Sequence, residues 1–312
     1  MKFLLVIFVQ PVAALLIPGR LFWPYFAGAA LSIIGLAKII KIDVLQMRGI
    51  DRSAVFGPLF FAIPMAVFGA DHFIAPKIVA AMVPSWIPGH LFWVYFVGVA
   101  LIAAALSIVT NRHSVLAATL LSVMIFSFVL LIHVPNLAAN PGDRIAFVVL
   151  LRDLSFSGGA LACAVVQAEE WPKRTLSRIV VLLRYVIAVP AVALGVENFL
   201  HPEVVPVVPL RQLMPSWIPG HLPLAYATGV VLIASGLSMV FNWKARLAAT
   251  WLGIFVFVIV LLVYLPITVA KMSDIGNGLN YLADTLAFAG TALVLAGTLP
   301  GEDHSKVPLE QP

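Results

Sequence analysis

Charged side chains are scarce in this chain: only 11% of its 312 residues are Asp, Glu, Lys or Arg, against about 25% in ordinary soluble domains. Hydrophobic residues make up 62%, and the mean hydropathy is +1.05. A composition so poor in charge leaves little room for a soluble domain or a nucleic-acid surface. It predicts an all-α polytopic membrane protein whose first partner is the lipid bilayer.

Cysteine is almost absent, and Cys163 lies inside an apolar run. One cysteine forms neither an intramolecular disulfide nor a CxxC pair, so this chain alone cannot exchange thiols and disulfides. Ser155, Gly158, Gly159 and Ala162 lie close by in the sequence. Small residues let membrane helices approach closely, which predicts a packing role for Cys163. HExxH and HxxxH spacings are also absent, and the prediction is no metal site.

Long apolar runs predict about ten transmembrane helices, since a span needs about 20 residues. The first run, residues 1–16, is short for a span and also resembles a signal peptide; a retained helix is favoured because no cleavage site is evident. The predicted spans cover residues 1–16, 21–40, 53–69, 91–110, 115–134, 145–167, 179–196, 223–241, 247–265 and 279–299.

The seven residues PSWIPGH occur at 84–90 and again at 215–221, with a shorter echo at 17–23. After a five-residue insertion in the second copy, the alignment pairs Pro135 with Pro266 and Asp153 with Asp284. This repeat predicts an N-terminal helix pair (1–48), two parallel four-helix units (49–170 and 171–299) and a polar, disordered tail (300–312).

Lysine and arginine are distributed unevenly between the two sides that these spans define. Twelve lie on the side of the N-terminus and five on the other. Because cytoplasmic loops carry the excess of positive charge, both termini are predicted to be cytoplasmic and the PSWIPGH segments to face outward.

The repeated segments resemble the DoxX-like membrane proteins, through GADHF at 69–73 and VPSWIPGHLFW at 83–93 followed by a Gly/Ala-rich span. The resemblance covers residues 52–168 and again 179–299. It implies a tandem of the family's four-helix bundle. Some relatives are small subunits of quinol oxidases or thiosulfate:quinone oxidoreductases. The resemblance therefore implies an accessory or quinone-interacting subunit of a bacterial inner-membrane redox chain, without catalytic activity of its own.

Ionisable side chains within spans are costly in lipid and mark candidate sites. They concentrate in the outer half of the predicted bundle, and each unit carries a similar set, which predicts one polar pocket per unit. Histidine and carboxylate groups there could bond a quinone carbonyl and move protons. The alternative is that they pair with one another and hold the bundle together. The candidates are Asp71, His72, His90, His133 and Asp153 in the first unit, and Glu197, Asn198, His221, Tyr264 and Asp284 in the second.

Arg152 has no counterpart in the second unit, where the aligned residue is Ala283. Successive side chains on a helix point about 100° apart. Arg152 is therefore expected to pair with Asp71 or with an acid of the other unit rather than with Asp153, or to line the interface between the units.

Two further functions fit the sequence. One is a carrier or exporter of a small apolar or weakly acidic molecule, which would use a cleft between the units and flex at Pro64 and Pro190. The other is a structural scaffold subunit of a larger membrane complex.

Overall fold

The computed structural model describes residues 19–41 and 49–300. Within these ranges nine helices are long and apolar enough to cross a membrane, which confirms the all-α polytopic prediction. The first predicted span and the polar tail lie outside the described residues. The nine helices are α1 Phe22–Lys41, α2 Gly57–Ile74, α3 His90–Thr110, α4 Ser114–Ala139, α5 Arg144–Gln167, α6 Lys173–Leu200, α7 His221–Val240, α8 Ala245–Ala270 and α9 Leu279–Thr298.

The helices α4 and α8 run past the prolines at which their spans were predicted to end. Pro135 lies inside α4, two residues after the end of a π-helical turn at Val129–His133. A proline in a regular α-helix lacks the N–H for the i−4 bond and clashes with that carbonyl. The wider π turn, closed by the bond from the Val134 N–H to the Val129 carbonyl, accommodates the proline. The segment 135–144, which lies between the predicted spans 115–134 and 145–167, therefore begins in a helix.

The first helix of each predicted unit is also longer than its apolar run. The helix α2 extends to Ile74, after the short 3₁₀ segment Gly49–Phe56 that precedes it. The helix α6 begins at Lys173, directly after Pro172, and ends at Leu200. Charged residues at both ends of α6 are thus helical, because polar side chains at a membrane surface do not interrupt the backbone ladder.

The helix α9 is at the centre of the molecule, packed against α2, α5 and α8. The most apolar stretch of α9 is 83% buried inside the molecule, whereas the corresponding stretch of α1 is 28% buried. A side chain at Gly290 would place its Cβ 2.4 Å from the backbone nitrogen of Phe61 in α2. Glycine is therefore required where α9 and α2 touch backbone to backbone.

The contacts of the first half (α2–α5) match those of the second half (α6–α9). The helix α5 packs against α6 as α9 packs against α2, and α5 and α9 contact each other in the middle. The irregular backbone positions match as well: Gly89 and Gly220 have φ of 72° and 74° before α3 and α7. The π turn of α4 recurs in α8 at Val260–Tyr264. The charged residues of α5 and α9 consequently meet at the contact between the halves.

Small residues on α5 provide the close approach to neighbouring helices. A Cβ at Gly158 would lie 3.0 Å from side-chain atoms of Ile187 in α6, and one at Gly159 would lie 2.4 Å from Thr291 Oγ1 in α9. Cys163 is only 1% exposed in the same helix. The packing role predicted for this cysteine is confirmed.

The helix α1 lies against α2 on the outside of the first half and is fastened near both ends. The Tyr25 hydroxyl donates to the Met272 carbonyl (2.9 Å), in the segment between α8 and α9. The Lys38 ammonium donates to the Val109 carbonyl (3.1 Å) at the end of α3.

Candidate functional site

Four charged or titratable side chains form a continuous chain of contacts, here called the outer charged network: His133, Asp153, Arg152 and Asp284. His133 Nε2 lies 2.7 Å from Asp153 Oδ2. Arg152 donates from Nε to Asp153 Oδ1 (2.8 Å) and from Nη1 to Asp284 Oδ2 (3.1 Å). The network joins α4, α5 and α9, and therefore joins the two halves.

The network is buried but not sealed. Asp153 and Asp284 are 9% and 5% exposed. The side chains of His133 and Arg152 are 16% and 21% exposed. A carboxylate placed this deep is tolerated only when it is paired and hydrogen-bonded. Arg152 supplies that pairing to both carboxylates, and His133 forms the accessible end of the network.

The position of His133 is fixed by the π turn of α4, of which it is the last residue. Pro135 requires the wide turn, and π turns frequently occur at functional positions. The fourth helix of the half, α5, packs along α4 and presents Asp153 to the histidine. A local backbone feature and one helix–helix contact thus create the His133–Asp153 pair.

The expectations for Arg152 are partly right. Its pairing with an acid of the other half is confirmed by the bond to Asp284, and it lies at the interface between the halves. The expectation that it would avoid its neighbour is wrong, since it also bonds Asp153. The Cα–Cβ directions diverge, but the long arginine side chain bends back and its planar fork reaches two acceptors at once. Of the two alternatives expected for its partner, Asp71 or an acid of the other half, the structure shows the second.

Asp71 lies on α2 beside the network rather than within it. The Asn280 side chain of α9 is placed to donate a hydrogen bond to its carboxylate, and Asp284, also of α9, is close enough to influence it electrostatically. Both carboxylate oxygens are buried. This placement follows from the packing of α2 against α9 instead of against α5 of its own half.

The structure does not bring the remaining histidines of the first half into the network. His72 uses Nδ1 to bond the Phe68 carbonyl one turn earlier in α2 (2.7 Å). His90 is the first residue of α3, directly after Gly89, and is partly exposed. Neither contacts His133 or Asp153 in the described parts of the chain. Of the five first-half candidates, His133 and Asp153 are therefore the two that bond each other, and the common pocket predicted for the whole set stays a prediction.

The second half arranges the aligned residues differently. Glu197 lies 3.6 Å from Arg144 Nη1 and 3.9 Å from His201 Nε2. The Asn198 side chain bonds the backbone of Val207. The Tyr264 hydroxyl donates to the Pro206 carbonyl and not to Asp284. His221 Nε2 is buried and finds no hydrogen-bond partner among the described residues.

Arg144 was not among the candidate residues predicted from the sequence, although it links the two halves. It donates from Nη1 to the Pro209 carbonyl (2.5 Å) and from Nη2 to the Leu210 carbonyl (2.6 Å). These bonds fasten the first half to the loop between α6 and α7. The signal in the sequence was an arginine on the predicted outer side, directly after Asp143. The Asp143 carboxylate caps α5.

Metal ligands do not cluster in the described ranges, 19–41 and 49–300: no three His, Cys, Asp or Glu side chains are placed to hold an ion. His133 and Asp153 form a pair, and the guanidinium of Arg152 occupies the other side of the carboxylate. The chemistry that this site can perform is hydrogen bonding and proton exchange at His133.

The fold and the network define the class: an integral, multi-pass α-helical membrane protein with a buried charged network between its two halves. A family model described as a domain of unknown function (DUF8561) matches residues 61–152, from within α2 to Arg152. No curated protein matches the chain. No solved structure matches it either.

Proposed function

We propose that the chain is a DoxX-like accessory subunit of a membrane redox chain and that it binds a quinone at His133. The observation that carries the proposal is the His133–Asp153 pair, which is held by Arg152 and only partly covered. The positive-inside count supports a bacterial inner membrane location with both termini in the cytoplasm. The site then lies in the outer half of the membrane.

The pair suits a quinone because the ligand presents carbonyl oxygens that accept hydrogen bonds. With Nε2 turned to Asp153, Nδ1 is the ring nitrogen of His133 that can meet a ligand. It donates to a quinone carbonyl when the imidazole carries both protons, and it accepts from a quinol hydroxyl when only Nε2 is protonated. Reduction of a quinone to a quinol takes two electrons and two protons. The chain carries no cofactor motif, so a partner subunit supplies the electrons. His133 and Asp153 serve as a path for the protons.

An apolar ligand can reach His133 from the lipid. Around the π turn, Leu130, Leu131 and Val134 are 50%, 44% and 43% exposed on the outside of α4. Apolar side chains exposed on a membrane helix face acyl chains, which is the phase in which quinones with long tails dissolve. The polar end of the ligand then has the partly exposed histidine within reach.

A carrier that works through a cleft between the halves is less well supported. Such a cleft would have to open where α9 touches the backbone of α2 at Gly290. It would also have to break the Arg152–Asp284 bond within the membrane. Pro64 and Pro190 lie inside continuous helices, so a flexing break at these prolines has no counterpart in the fold.

The test is the quinone content of the chain purified in mild detergent, measured by extraction and mass spectrometry. We expect about one quinone per chain in the wild type and a loss of about tenfold or more in Asp153→Asn, because the aspartate orients the histidine ring. Asp274→Asn is the matched control, since Asp274 is an exposed outer acid outside the network. Wild-type protein that carries only bulk lipid would contradict the proposal.

A further inference from the structure

The loop between α6 and α7 (residues 201–220) enters the second half instead of lying on the membrane surface. Its tip, here residues 205–208, carries three valines: Val205 and Val207 are 0% exposed, and Val208 is 1% exposed. Backbone bonds from Val205 N to the Gln212 carbonyl and from Met214 N to the Glu203 carbonyl (both 2.9 Å) close the loop behind the tip. The outer end of the second half is thus filled by its own chain.

The tip is held in a backbone conformation that valine rarely adopts. Val207 has φ of +77°, in the left-handed region that a β-branched residue avoids. Asn198 stabilises this conformation, accepting from the Val207 N–H (3.0 Å) and donating to the Val207 carbonyl (3.4 Å). A strained backbone conformation of this kind persists only where the surroundings enforce it. The loop tip is therefore a built contact and not a loose surface turn.

Two further contacts fix the tip. The Tyr264 hydroxyl donates to the Pro206 carbonyl. From the first half, Arg144 donates to the carbonyls of Pro209 and Leu210 and faces Glu197. In the second half, then, the last residue of the π turn bonds a carbonyl oxygen that is surrounded by branched apolar groups.

Among the described residues, the loop before α3 does not supply the first half with a matching occupant. His133 is the last residue of its π turn, as Tyr264 is in the second half. The segment before α3 stays on the surface, where Ile78 and Met82 are 68% and 63% exposed. Arg144 lies nine residues before Asp153. The residue nine positions before the aligned Asp284 is Ile275, so Arg144 has no counterpart there.

The acid near the outer end of the first helix of each half, Asp71 in α2 and Glu197 in α6, also differs between the halves. Glu197 faces the Arg144 guanidinium at 3.6 Å in the second half, whereas among the described residues no cation forms an ion pair with the aligned Asp71. The cation that faces the acid in the second half therefore has no counterpart in the described part of the first.

We propose that the chain binds one external ligand, in the first half at His133, in the place that the second half fills with its own loop tip. The second half shows the chemistry of the occupant: a carbonyl oxygen that accepts a hydrogen bond, flanked by apolar groups of the size of valine side chains. The identification of that ligand as a quinone rests on the proposed function. The carbonyl chemistry and the count of one site rest on the comparison of the two halves.

The experiment titrates the full chain in lipid nanodiscs with a short-chain benzoquinone and counts the sites by calorimetry. We expect one site per chain. His133→Phe should weaken binding about tenfold or more, the value of one hydrogen bond in an apolar site. His133→Gln keeps an N–H donor and should restore most of the affinity. Tyr264→Phe is the matched control at the aligned position and should leave the affinity and the count unchanged.

A benzophenone photolabel locates the site independently, because it is an apolar ketone without quinone redox chemistry. Labelling of α4 and α5 peptides, lost in His133→Phe, supports the inference. Two quinone sites, or equal labelling of α8, would overturn the single site and leave the proposed function standing. A specific benzophenone site at α4 in a chain that binds no quinone would overturn the redox function and leave the inference standing. Binding of neither probe would overturn both.

Discussion

Replacing Arg152 with leucine removes a cation that bonds carboxylates of both halves. Its guanidinium contacts Asp153 at 2.8 Å and Asp284 at 3.1 Å. The substitution leaves two buried acids, of which Asp153 retains its bond to His133. We expect the free energy of unfolding to fall, mainly because Asp284 loses its countercharge while Asp71 lies near it.

The magnitude follows from the cost of leaving a buried charge without its partner, about 3–5 kcal/mol. The Arg152 side chain is 21% exposed, so some water reaches the pair and the lower end of this range applies. The expected loss is about 3 kcal/mol. His133→Ala should cost less, about 1.5 kcal/mol, because Asp153 then keeps its bond to Arg152.

The assay is equilibrium unfolding in mixed detergent micelles, followed by circular dichroism. The control is the triple variant Arg152→Leu, Asp153→Asn and Asp284→Asn, in which no charge is left unpaired. Because the triple variant leaves no buried carboxylate without its countercharge, it should be clearly more stable than Arg152→Leu alone. Two results would show that the pairing of Arg152 with the two carboxylates does not stabilise the fold. One is a cost of Arg152→Leu below about 1 kcal/mol, and the other is a triple variant that is no more stable than Arg152→Leu.

Two further predictions concern the central helix and the loop tip. Gly290→Ala should destabilise the fold by about 1–3 kcal/mol, because its Cβ would meet the backbone of Phe61 at 2.4 Å. The control Gly297→Ala, whose Cβ would have Val166 at 3.6 Å, should be neutral or stabilising. Thermal unfolding of both variants tests this, and equal stability of the two would contradict the close contact. Asn198→Ala should release the strained tip and speed proteolysis of residues 203–211 several-fold, and an unchanged cleavage rate would show that the tip is held without the amide.

Composition and periodicity were sufficient for the class of fold. Apolar runs of about 20 residues leave a membrane helix as the structure in which all backbone groups are paired, so the predicted spans of the described residues appear as helices. The helix ends were harder to predict. Pro135 was taken as a helix end, and the sequence offered no sign that a π turn would carry α4 past it. Charged ends such as residues 173–178 also continued the helix.

The candidate site was predictable in part. Buried acids and histidines in apolar runs had to find partners, which identified Asp153, Asp284 and His133 as candidates and gave Arg152 an acid of the other half. The choice among partners depended on helix packing. Because α2 packs against α9, Asp71 lies beside Asp284 of the other half instead of bonding within the outer charged network.

What the sequence alone determined is the apolar, helical, repeated character of the chain, because each of these is set by local composition and spacing. The difference between the halves was decided by tertiary structure. The alignment presented Tyr264 as a counterpart of His133 and the five-residue insertion as a longer loop. Only the folded chain shows that this loop enters the second half, where Tyr264 bonds Pro206 and Arg144 holds the carbonyls beyond it. Contacts between residues about 60 positions apart arise from the packing of whole helices, and no local pattern records them.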